Sequence, residues 1–190
     1  MTVSETQQCA LRTFPYVRKA QDALFCRIFC DIAAARKALE RDRSALTAHI
    51  GRACVDTLRL CELNGADMLS ELRSKAARNR RRVYKEVDGI WTKFEDETID
   101  LSDLSRLATL REFQTEAYNN KVAHNFNITD INLEFCLLYS ELAEAREALE
   151  SEPAHLGEEL ADVMIYLLGI AEILGEDLQR AAEALLSERQ

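Results

Sequence analysis

Two stripes of apolar residues organise the C-terminal half of the chain. Leu138, Leu142, Ala145 and Leu149 recur at helical intervals, and so do Leu160, Val163, Leu167, Ile170 and Leu174. That spacing puts each set on one face of an α-helix. Such stripes are core by default, and the short link between them predicts an antiparallel helical hairpin with facing seams. Punctuation bounds the elements. Asp100 or Ser102 can cap a helix running to about Lys121, and His124-Asn125-Phe126-Asn127 breaks it. Thr129 or Asp130 caps the next helix, to about Glu150. Pro153 suits the first turn of a third, which ends near Gly175, and Asp177 starts a last one.

The plan occurs twice. Shifted by 110 residues, the sequence meets itself at 13 identical positions over the 44 columns from 25 to 68. Random pairing would give roughly 3. Phe25-Cys26 falls on Phe135-Cys136, the run from Ala33 to Glu40 on Ala143 to Glu150, and Gly65-x-Asp67 on Gly175-x-Asp177. Shared helical periodicity alone would not hold one register through the turns, so a duplicated helical unit is inferred. The predicted fold is all-α: a unit over residues 1–82, in which the repeated plan covers 17–82, a connector over 83–101 and a second unit over 102–190.

Composition agrees. Gly and Pro number only 6 and 2 in 190 residues, too few for a turn-rich β fold. No apolar run of 18 residues is present, nor a basic and apolar N-terminal leader, so no membrane partner and a cytoplasmic location are expected. The six cysteines contain no CxxC pair and read as small reduced core residues. Net charge is −9, unevenly spread: residues 1–80 carry +5 and residues 81–190 carry −14. No basic stripe with interleaved aromatics appears, which argues against nucleic acid.

The acidic half carries the candidate chemistry. Glu141 and Glu144 are spaced i, i+3 on one predicted helix, Glu159 and Asp162 on the next, so each pair shares a face. Across a hairpin the pairs can meet beside the apolar seams. Four converging carboxylates repel one another and lose hydration, so they protonate, splay apart or bind a hard cation; oxygen-only donors suit Mg²⁺ or Mn²⁺. ExxE and ExxD pairs are also common on solvated helices, so spacing alone does not decide.

The linked pattern does more. Glu141-Leu-Ala-Glu144-Ala, then Glu159-Leu-Ala-Asp162-Val-Met-Ile-Tyr, then Gly175-Glu-Asp177, closely resembles the MazG-like all-α nucleoside triphosphate pyrophosphohydrolases over roughly residues 105–180. Tyr118-Asn-Asn-Lys121-x-x-His-Asn-Phe126 is similar to the family's lead-in. The resemblance implies hydrolysis of a (d)NTP to monophosphate and pyrophosphate, with Mg²⁺ (Mn²⁺ as a substitute) held by Glu141, Glu144, Glu159 and Asp162. Either Glu141 or Glu144 would be the general base. It also implies phosphate contacts from Lys75 and Asn79, whose spacing matches the end of the family's last helix, and from Lys121. Phe126, Phe135 and Tyr139 are candidates for a base pocket, although aromatics at such spacings are commonly core. Under the 110-residue shift the four acids correspond to Asp31, Ala34, His49 and Arg52, so the first unit cannot build the same site. A fused pseudo-dimer with one composite site is the expectation, and such a pair can associate again. Two other readings stay open: a nucleotide-binding regulatory protein with little turnover, and a helical interaction module whose acids are merely solvated.

Overall fold

A computed structural model describes residues 1–13 and 20–187; residues 17–19 of the predicted first unit lie outside the described residues. The elements are α1 (Val3–Thr13), α2 (Ala20–Ala38), α3 (Arg43–Leu63), α4 (Met68–Arg81), β1 (Arg82–Val87), β2 (Ile90–Glu95), a 3₁₀ turn (Ser102–Arg106), α5 (Leu110–Ala123), α6 (Ile131–Ser151), a second 3₁₀ turn (Pro153–His155), α7 (Leu156–Leu174) and α8 (Leu178–Ser187). The class is all-α with one small hairpin, as the periodicity predicts.

Local chemistry sets the boundaries. Asp130 caps α6, its carboxylate accepting from the Asn132 and Leu133 N–H groups. Gly175 ends α7 in the left-handed region at φ 70°, where a glycine carries no side-chain penalty. Pro153 opens a 3₁₀ turn rather than the helix itself. The predicted cap at Asp100 or Ser102 is corrected: Asp100 precedes and Ser102 opens only a 3₁₀ turn, and α5 begins eight residues after Ser102. There Thr109 and Glu112 form a capping box, which satisfies two N-terminal N–H groups at once. The connector pairs as β1 and β2, from Arg82 opposite Glu95 to Val87 opposite Ile90, closed by Asp88-Gly89 with both φ angles positive.

The sequence α1 to α4 recurs as α5 to α8. The α2–α3 and α6–α7 hairpins each pack internally, while α4 lies against α7 and α8 against α3. Helices α3 and α7 meet at the centre, where Cys54 Sγ lies 3.7 Å from Met164 Sδ, two positions related by the 110-residue shift. One internal detail repeats closely. The Gln7 amide donates to Glu62 and the Ala66 carbonyl and accepts from the Met68 N–H. The Gln114 amide donates to Glu172 and the Glu176 carbonyl and accepts from the Leu178 N–H. Each Gln ties its first helix to the turn that launches its fourth. This pair is offset by 107 residues, so the gap-free 110-residue comparison passes over it. The core-cysteine reading holds for Cys9, Cys54 and Cys61; Cys26, Cys30 and Cys136 are exposed. No helix among the described residues is long and apolar enough to cross a membrane.

Candidate metal centre

Helices α6 and α7 bring the predicted acids together. Glu141 and Glu144 from α6 and Glu159 from α7 offer carboxylate oxygens that all lie within 4.8 Å of one another. Asp162, one turn along α7, lines the same cavity of about 330 Å³. Its carboxylate acts on both Glu141 and Glu159 and is itself held by Lys75 of α4: the ammonium contacts Asp162 Oδ2 and lies 3.3 Å from Glu158 Oε1. Glu158 is also gripped by Arg78 at 2.5 Å.

Electrostatics follow from that crowding. Glu141 is pushed up from an ordinary 4.5 to about 7, first by burial and then by Asp162 and Glu144. Glu159 is raised by burial and by Asp162. Asp162 is raised by burial, which outweighs the hydrogen bond and charge of Lys75. Burial also acts on Glu158, but Arg78 and Lys75 outweigh it and leave that carboxyl below its usual range. Three carboxylates with oxygens this close, Glu141 and Glu159 partly buried and Glu144 exposed, fit a hard divalent cation, which would relieve their repulsion.

Apolar and aromatic side chains line the same cavity, among them Phe113, Ala117, Phe126, Ile165 and Tyr166. The Phe126 ring stacks on His124 at 5.5 Å and meets Tyr84 of β1 edge-on at 5.7 Å, so the hairpin braces Phe126. Asn79 and Asn120 line the cavity with buried Oδ1 atoms that have no hydrogen-bond partner among the described residues, and Arg82 lines it with a buried, unpartnered Nε. A buried acceptor left unpaired costs about 1–3 kcal/mol.

Several predicted residues belong elsewhere. Phe135 is 2% exposed and part of the core. Tyr139 points away from the cavity and packs on Phe29, with ring centroids 5.3 Å apart. The helical phase explains this, because two residues along a helix is about 200° of rotation and Tyr139 stands two before Glu141. Lys121 does border the cavity, but its ammonium is bound to Glu134 Oε2 at 2.8 Å. Glu134 is fully buried and also accepts from Asn127, so it needs that cation for itself. Phe135 and Tyr139 therefore do not line the cavity and the Lys121 ammonium beside it is already paired, whereas Arg82, Asn120 and Tyr166, which the spacing did not single out, do line it. Asn120 was accessible from its spacing: Phe113, Glu116, Ala117 and Asn120 form one face of α5. Arg82 lies just beyond the last helical residue of α4, where helix periodicity gives no direction.

At the corresponding place in the first half the one acid is already engaged by its neighbours. Asp31 Oδ1 takes His49 Nδ1 at 2.7 Å and Arg52 Nε at 3.0 Å. No protein-family model, no curated protein and no solved structure matches this chain.

Proposed function

We propose that the chain is a duplicated helical unit folded on itself as a pseudo-dimer, and that its one composite site hydrolyses nucleoside triphosphates to monophosphate and pyrophosphate. The observation that carries this reading is the three-carboxylate cluster at one end of a cavity whose other walls bear cations, carboxamides and aromatic rings. Cleavage between the α and β phosphorus atoms needs the triphosphate charge neutralised and a water aimed in line. Glu141, Glu144 and Glu159, with Asp162 once released, would hold Mg²⁺ or Mn²⁺, which supplies charge neutralisation and a more acidic water. Glu141 or Glu144 would take the proton from water through a carboxylate oxygen not used by the cation. Lys75 and Arg82 reach the cavity from the first half and its junction with the hairpin, and match the charge of a polyphosphate. Asn120 and Phe126 also line the cavity, and there a carboxamide could pair with the edge of a base while the ring meets its face.

The test is pyrophosphate release from a panel of NTPs and dNTPs with Mg²⁺ or Mn²⁺. Release that needs the cation and is lost in Glu144→Gln is the expected result. No release from any nucleotide by the folded chain overturns the activity.

A further inference from the structure

We infer that Lys75 is an internal counter-ion that keeps Asp162 from a cation until an anionic ligand draws the ammonium away, so that cation and polyphosphate enter the site together. This rests on the metal-site reading above and goes beyond it. Four acids converge in sequence, yet only three bring their oxygens within 4.8 Å of one another. The fourth is occupied by Lys75, which is only 6% exposed and whose ammonium is shared between Asp162 and Glu158. Glu158 has a cation of its own in Arg78, so Lys75 is free to leave it without stranding that carboxylate.

An ammonium at hydrogen-bonding distance from Asp162 opposes a divalent ion there twice over. It takes the donor oxygens, and it repels the second positive charge at short range in a partly dehydrated site. The repulsion is removable, because Lys is a compact charge on a flexible stem with three donors that phosphate oxygens can satisfy equally well. The first half shows the permanent version. There the position equivalent to Asp162 is Arg52, whose guanidinium stays on Asp31. Lys75 would thus oppose the cation when the site is empty and assist the anion when it is filled.

Opposite signs in one variant are the signature. In the metal-free full chain, Lys75→Met should bind Mn²⁺ alone roughly tenfold or more tightly than wild type, read by calorimetry. With all metal chelated, the same variant should bind a nucleoside triphosphate about tenfold more weakly. In an Asp162→Asn background the gain in Mn²⁺ affinity should disappear, since the withheld carboxylate is gone. Lys75→Gln replaces the Met variant if circular dichroism shows that the latter is unfolded. A residue that only stabilises the fold would weaken both ligands. Unchanged or weaker Mn²⁺ binding in the folded variant, with normal pyrophosphate release by wild type, overturns this inference alone. Absence of Mn²⁺ binding to every protein, wild type included, overturns it together with the metal-site reading.

Discussion

The α2–α3 and α6–α7 hairpins follow one backbone plan and have settled the same positions differently. In α6–α7 these positions hold Glu141, Glu144, Glu159 and Asp162, which line one cavity, and the carboxyls of Glu141, Glu159 and Asp162 are raised above their ordinary range by burial and by one another. In α2–α3 they hold Asp31, Ala34, His49 and Arg52, and the one remaining acid is neutralised within its own hairpin. One hairpin keeps an electrostatic strain that a ligand can relieve; the other has relieved it with side chains. What the first half retains is cationic and lies on α4, which packs against α7. Under the proposed reading, the acids would come from one half and part of their cationic surroundings from the other.

The comparison breaks first at the acids. Glu141→Gln should lower metal-dependent hydrolysis by roughly a hundredfold or more, while Asp31→Asn, the equivalent change, should leave it within about twofold. Steady-state rates on the best nucleotide decide this, and equal losses would mean that both halves carry chemistry. Structure should behave the other way. Gln7→Ala and Gln114→Ala each strand buried partners of a matching amide, so each should cost about 2 kcal/mol in urea unfolding. A clear inequality would show that the two halves are not held together alike. Asn120→Leu sharpens the division of the cavity: it should change the ratio of kcat/KM between preferred and poor bases by about tenfold, with less effect on inorganic triphosphate binding. Unchanged base ratios would remove Asn120 from recognition.

The smallest effect is on pH dependence. The Glu141 carboxyl is raised in the folded chain to about 7, so the native state holds this proton more tightly than the unfolded one. Its contribution to stability is complete below about pH 4.5 and is lost as pH rises through 7. Glu159 and Asp162 are shifted in the same direction. Without metal, the wild-type Tm should therefore fall relative to that of Glu141→Gln between pH 5 and pH 8, by about 3 °C. Added Mn²⁺ should stabilise the wild type more at pH 8 than at pH 5. A parallel pH course for the two proteins would show that Glu141 is not raised.

Much of the architecture was legible residue by residue. The stripes through Leu138 and Leu160 specified α6 and α7, Asp130 and Gly175 specified their ends, and the 110-residue repeat carried the plan back to α2 and α3. The hairpin has a local signal too, since Asp88-Gly89 between β-rich runs favours a type I′ turn, but helical periodicity marks the stretch only as a connector. The start of α5 was misplaced because Asp100, Ser102 and Thr109 are all acceptable caps locally. Only the reciprocal Thr109–Glu112 bonds separate them. The four acids were found from spacing. Their division into a trio and a neutralised fourth was not, since it depends on Lys75, 87 residues away in the chain.

The sequence by itself determined helix phase, most of the caps, the 110-residue self-similarity and which acids share a face, because these are set by neighbours within a few residues or by a repeat that can be counted. The tertiary structure alone decided that α4 crosses onto α7, that Lys75 meets Asp162 there, that Glu134 claims Lys121, and that Asn120 rather than Tyr139 lines the cavity. Those outcomes depend on which helix faces meet and which buried charge must be compensated. Both are long-range conditions that local periodicity does not encode.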